Sequence, residues 1–337
     1  MARTWISTVL SIGILFFAIP RFAGAEVSEV QMSRGLSFGF LPTIVMEGQH
    51  LIEKRARAAG LGDVKVRWHT FSGGVMMNDA LLAGQVDFAG GGPPPFAVLW
   101  ARTQGSKVEV KGVAAMCASP MYLLTRNPAI KSIKDFGPKD RILMPGANVS
   151  DQAVVLQMLS EREFGDPHKL DRLTSVLSLP DGFATLLSRS GADSQFSGPP
   201  FQYEADLLKQ HGIHSVLSSN DVFGGPATFI MMWTTTRFHD ANPKISAAVY
   251  AALGDAINLI NSDHKKAAEI FLRVTKAKMP LAEAERILDE PDLRYSLTPQ
   301  NIMTYVDFLY RTGVIKKRPA SWKDLFFTGP VQSLKGS

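Results

Sequence analysis

Two glycine turns are where this chain could do chemistry. Ser72-Gly73-Gly74 and Gly90-Gly91-Gly92 stand about twenty residues apart, and each separates a strand-like run from a helix-like one. Bare glycines let a ligand approach backbone N–H groups, and a helix N-terminus favours negative charge. A third helix start lies in Ala147-Asn148-Val149-Ser150-Asp151, with Ser150 as its cap. The N–H groups of Ser72–Gly74 and Gly91–Gly92, with the Ser150 cap, could hold an oxyanion such as a sulfonate or carboxylate. Asp151 opposes a bare anion at its own end, so Asn148 and Ser150 rank above it as contacts. No Lys or Arg lies in the glycine turns, which leaves an aromatic or less charged solute open. Phe71, Phe201 and Trp233 are candidates for lining the organic part of a ligand, with core packing as an equal alternative for each.

Other chemistry finds little footing. Cys117 is the sole cysteine, so neither an intrachain disulfide nor a cysteine zinc site can form. It sits in the apolar run Val113–Ala118, where a free cysteine packs as a small hydrophobe. His211 and His214 have metal-like spacing, but Gly212 marks a helix end between them and no further ligand completes a set. G-x-S-x-G, H-E-x-x-H, G-x-x-x-x-G-K and C-x-x-C are all absent, which favours binding over catalysis. No metal and no cofactor are expected. The net charge of +5 falls to +3 once residues 1–25, with Arg3, Arg21 and no acid, are set aside. A balance that small, with no dense basic run beyond Lys316-Lys317-Arg318, gives no case for nucleic acid.

The elements that must position these turns are read from periodicity. Leu36–Leu41 reads as a first strand with Pro42-Thr43 as its exit, and Glu47–Ala59 as a helix ended by Gly60. Lys65–Trp68 alternates as a second strand. A helix over Val75–Ala83, ended by Gly84, leads to a buried strand at Val86–Ala89. Pro93-Pro94-Pro95 opens the next helix, and Val108–Ala115 is a fourth strand. Two apolar β-branched runs, Met121–Arg126 and Ala227–Thr236, look like crossings out of and back into a first unit. From Asn242 onward the pattern is helical, with a stripe at Ile245, Val249, Ala252, Ala256, Leu259 and Ile260.

The segment A-L-L-A-G-Q-V-D-F-A (80–89), followed by its Gly/Pro turn, resembles the periplasmic solute-binding proteins of the nitrate/sulfonate/taurine (and thiamine-precursor-like) class of ABC importers. Ile130–Gly137, I-K-S-I-K-D-F-G, is similar to a segment that follows the crossover in that family. The resemblance runs along most of the chain after residue 25 and marks the class, not the substrate. It implies an α/β fold of type II with two lobes and two crossover strands forming a hinge. The lobes would be 26–120 and 121–233, with 234–337 returning to the first. It adds Pro42 and Thr43 after the first strand, and Ser197, Gly198 and Phe201 after a second-lobe strand, as ligand contacts beside Ser72, Gly73, Gly74, Gly91, Gly92, Asn148 and Ser150. It also implies a small-molecule ligand, and an ABC permease with its ATPase in the inner membrane as partners of a monomeric chain.

Arg3, the apolar run Trp5–Ile19 and Ala23-Gly24-Ala25 read as an export leader cleaved after Ala25, which predicts a periplasmic protein. Two other classes stay open beside import: an enzyme on the same fold, of the desulfinase or pathway-enzyme kind, and a sensor module presenting ligand to a receptor.

Overall fold

The computed structural model describes Met1, residues 25–189 and residues 191–337. The expected leader lies outside the described residues. Strand β1 (Glu29–Arg34) buries Val30 and Met32 and runs parallel to β2 (Lys65–Thr70), paired from Glu29–Lys65 to Arg34–Thr70. This displaces the expected first strand. Leu36–Leu41 instead bends into α1 (Leu41–Gly48). Its apolar content mimics a strand, but its rings are buried in a turn: Phe38 packs on Phe271 with centroids 4.2 Å apart. The helix expected over Glu47–Ala59 breaks at His50, whose φ is 52°, before α2 (Leu51–Ala58).

The chain continues through α3 (Gly74–Leu82), β3 (Phe88–Gly91), α4 (Pro93–Thr103) and β4 (Val110–Ala118). β3 lies two residues later than the sequence predicts, and Gly90 and Gly91 pair with the returning strand instead of turning. The chain then crosses at Ser119-Pro120 into β5 (Tyr122–Thr125), β6 (Ile142–Met144), α5 (Asp151–Phe164), β7 (Thr174–Val176), α6 (Leu179–Ser188), β8 (Ser194–Phe196), α7 (Ala205–Gln210), β9 (His214–Ser218) and α8 (Asn220–Phe223). It returns through β10 (Thr228–Thr235) to α9 (Thr236–Ala241), α10 (Pro243–Ser262), α11 (His264–Thr275), α12 (Leu281–Leu288), β11 (Arg294–Tyr295) and α13 (Ile302–Arg311).

Two sheets result, one in each lobe. The first has the order β11-β4-β10-β3-β1-β2 and the second β7-β6-β8-β5-β9. Each holds three parallel strands, β2-β1-β3 and β7-β6-β8, followed by a reversed strand that arrives from the other lobe. β10 is antiparallel to both β3 and β4, and β5 to both β8 and β9. The two sheets thus share one topology. β10 pairs with β4 from Thr228 to Thr235, so a lobe boundary at 233 would cut a strand; the return comes before Thr228. Burial of all eight of its residues explains the unbroken apolar run.

Side chains bind the crossings together. Gln202 Nε2 donates to Pro120 O at 2.6 Å, and Tyr203 Oη lies 3.2 Å from Ser119 Oγ. Arg286 of α12 donates to the Tyr203 carbonyl. At the far side, Arg311 of α13 pairs with both oxygens of Glu161 on α5. In the tail, Ile245, Val249, Ala252, Ala256 and Ile260 of α10 are buried at helical spacing against α1 and α2, while Leu259 is half-buried.

Candidate ligand-binding site

The glycine turns meet each other and then meet the second lobe. Gly91 has φ 148°, and a Cβ there would lie 2.7 Å from Gly74 Cα and 3.1 Å from the Trp233 ring. The end of β3 and the start of α3 therefore touch backbone to backbone, which no larger residue permits. Beside them Phe40 crosses Gly90, a Cβ there meeting its ring at 3.2 Å. A Cβ on Gly92 would land inside the Asp151 carboxylate. Gly92 caps α4 in the first lobe and Asp151 opens α5 in the second, so this contact spans the cleft.

Beyond Gly91–Gly92, the helix that follows adds no backbone donors. A helix start ordinarily leaves its first N–H groups unpaired. In α4 the first three positions are Pro93, Pro94 and Pro95, which have no N–H to give. The next amide, Phe96, bonds back to Gly92 O at 3.4 Å. What the first lobe offers at this point is a wall of buried pyrrolidine rings. What the second lobe offers is a carboxylate.

Asp151 is 7% exposed, and its Oδ1 has no hydrogen-bond partner. Burial pushes its carboxyl up to about 8, with only its own backbone N–H pulling the other way. Tyr305 of α13 feels that charge, and burial and Asp151 together hold its phenol well above the ordinary range. Trp233 is fully buried and its Nε1 also lacks a partner. Ser150 Oγ is committed, accepting from Ala153 N at 3.2 Å and donating to Gly146 O at 2.6 Å. Asn148 is exposed with φ 64°, a turn residue.

The remaining candidates divide. Gly74, Gly91 and Gly92 come together. Gly198 makes a second contact between lobes: a Cβ there would meet the Phe229 ring of β10 at 3.0 Å, and one on Gly39 would meet the same ring at 3.0 Å. Gly73 caps α3, whose first turn carries the exposed Val75 and Met76, and Ser72 is exposed with Oγ 3.3 Å from Met76 Sδ. Pro42 and Thr43 are buried in the first turn of α1, and Thr43 Oγ1 donates to Phe40 O at 2.8 Å. Ser197 is buried, its amide held by Tyr122 O at 2.8 Å. Phe201 packs on Phe183 with centroids 4.9 Å apart, in the small core of the second lobe. Trp233 packs on Phe96 at 5.4 Å, while Phe71 is half-buried with its amide donating to Arg34 O. Phe40, Phe229 and Tyr305 are residues that sequence reasoning did not place near these turns, and Asp151 is one it ranked below Asn148 and Ser150. The signal for Asp151 was present: a carboxylate beside a cap, matched by a helix start stripped of donors.

Elsewhere the chemistry is quiet. Cys117 is buried in β4 and burial pushes its thiol up, away from the thiolate a nucleophile needs. His211 follows the end of α7, and His214 Nε2 lies 2.8 Å from Ile130 O. Among the described residues there is no group of three metal-ligating side chains, and no helix is long and apolar enough to cross a membrane.

No family model matches the chain, and no curated protein matches it in sequence. Solved structures do match in shape. The alkanesulfonate-binding protein SsuA of Xanthomonas axonopodis pv. citri, bound to MOPS, is 17% identical with a TM-score of 0.69, over 88% of this chain and 96% of that one. The periplasmic nitrate-binding protein NrtA of Synechocystis PCC 6803 is 15% identical with a TM-score of 0.66, over 88% and 84%. A zinc-bound ligand-binding component of an ABC-type import system from Staphylococcus aureus is 14% identical with a TM-score of 0.67, over 92% and 99%. Two lobes, two sheets with one topology, and crossing strands that reverse direction in each: the chain has the periplasmic binding protein fold.

Proposed function

We propose that this chain is the extracytoplasmic solute-binding component of an ABC import system. In this reading it is exported, loses its leader after Ala25, and binds a small organic solute between 26–120 and the tail on one side and the inserted lobe on the other. It then presents the solute to a membrane permease coupled to an ATPase. One observation carries the reading: the glycine-walled end of β3 and the start of α5 face each other across the cleft and touch at Gly92 and Asp151. In an open α/β sheet, ligands bind beyond the carboxyl ends of the strands, and both elements stand there. A solute that bridges the two lobes binds the closed arrangement better than an open one, which is the differential affinity that closure requires. The sulfonate, nitrate and zinc named for proteins of similar shape set the range of solutes to try, not the answer. Binding without catalysis fits a site whose unusual titratable groups, Asp151 and Tyr305, are a carboxyl and a phenol pushed away from ionisation.

The test is thermal unfolding of residues 26–337 against sulfonates, nitrate, carboxylates, amines, amidines and zinc. A solute at a hundred times its dissociation constant is expected to add about 2.7 kcal/mol, a readily seen rise in melting temperature. A folded chain that no member stabilises would count against import.

A further inference from the structure

Among the described residues, no basic group pairs with the buried Asp151 carboxyl. Asp151 Oδ1 is unpartnered, and Gly92 brings the first lobe against the carboxylate without a side chain between. The three prolines of α4 supply no donor. α13 faces it with Tyr305, whose phenol its charge helps to raise. The other charges on packed elements are remote. Glu161 with Arg311, and Glu163 with Arg162 and with Lys134 of the turn Ile133–Asp135, sit roughly 15–18 Å farther along α5 at 1.5 Å per residue. Asp221 of α8 accepts from Ser218 N, ahead of its helix, and Arg102 lies in the last turn of α4. A buried carboxylate without a counter-charge or donor is costly, and a ligand that supplies both offsets that cost. A sulfonate or nitrate at the same place would add like charge.

We propose that the solute carries a protonated nitrogen with N–H donors, an ammonium or amidinium, and that Asp151 receives it. This deepens the solute-binding reading and rests on it. The rival is a neutral Asp151 that donates a proton to an oxyanion. The two differ in sign with pH. A cation needs the carboxylate, so its binding expels a proton, and its affinity rises up to about tenfold per pH unit below the value near 8. An oxyanion needs the acid form, so its affinity is level there and falls above it.

The experiment uses matched probes on residues 26–337: benzamidine and benzylamine against benzoate, benzenesulfonate and nitrate, titrated at pH 6, 7 and 8. The expected result is stabilisation by a cationic probe, with affinity rising from pH 6 to 7. Asp151→Asn, or Asp151→Ser should the first fail to fold, is expected to weaken that probe roughly thirtyfold or more. An anionic probe that binds with level affinity from pH 6 to 7, or unchanged in the Asn variant, overturns the inference and leaves the solute-binding reading standing. A cation that binds equally well to the Asn variant overturns it too. A folded chain stabilised by neither class overturns both.

Discussion

Gly92→Ala is expected to destabilise the protein, and the same change is expected to be harmless once Asp151 is gone. The backbone at Gly92 has φ −81°, which alanine adopts freely. Glycine-to-alanine at such a position ordinarily stabilises by about 0.4–1 kcal/mol, because the unfolded chain loses freedom. Here the new methyl would occupy the space of the Asp151 carboxylate. Overpacking of that kind costs about 1–3 kcal/mol, so the sign of the substitution reverses. In an Asp151→Ala background the obstruction is removed and the ordinary gain returns. Urea unfolding of the four proteins of this cycle gives the coupling directly. A Gly92→Ala that is neutral or stabilising in the wild-type background would mean that the two lobes do not meet there in solution.

The second large effect is a dependence of stability on pH that one side chain controls. Burial raises the Asp151 carboxyl from about 3.8 to about 8. Between those values the folded chain holds a proton that the unfolded chain has released, so stability falls as pH rises through that window. The slope approaches about 1.4 kcal/mol per unit, and from pH 4 to 7 the loss is on the order of 4 kcal/mol. Asp151→Asn carries no such proton. Wild type and variant are expected to agree near pH 4, diverge steadily to about pH 8 with the variant more stable, and run parallel above. Glu204, raised to about 7 by burial with Glu283 adding to it, tilts both proteins the same way, so the difference between them isolates Asp151. Parallel curves throughout would show that the carboxylate is solvated in the folded protein.

Much of this was legible from residue types. The run Ala227–Thr236 is apolar on both faces because β10 lies between two strands with helices over the sheet, and both-face burial leaves that mark. Ser150, Gly84 and the α10 stripe announce their roles locally, through a cap, a left-handed backbone and a 3.6-residue period. β1 was hidden because it has only Val30 and Met32 as apolar markers, while Phe38, Phe40 and Leu41 nearby are richer and form a turn. The triple proline was visible, but its consequence, a helix start without donors, follows only when each lost N–H is counted. The burial of Asp151 was out of reach. It depends on α5 of one lobe packing on α4 of the other, a contact between elements some fifty residues apart that no local pattern encodes.

The central claim is that a solute bridges the two lobes between the end of β3 and the start of α5. Hydrogen exchange followed by peptide mass, on residues 26–337 with and without a solute that stabilises them, tests it most directly. The account predicts slowed exchange in both peptides that span these places, one covering Phe88–Trp100 and one covering Gly146–Val155. Protection confined to a single lobe, or lying elsewhere while these two segments exchange unchanged, would contradict it.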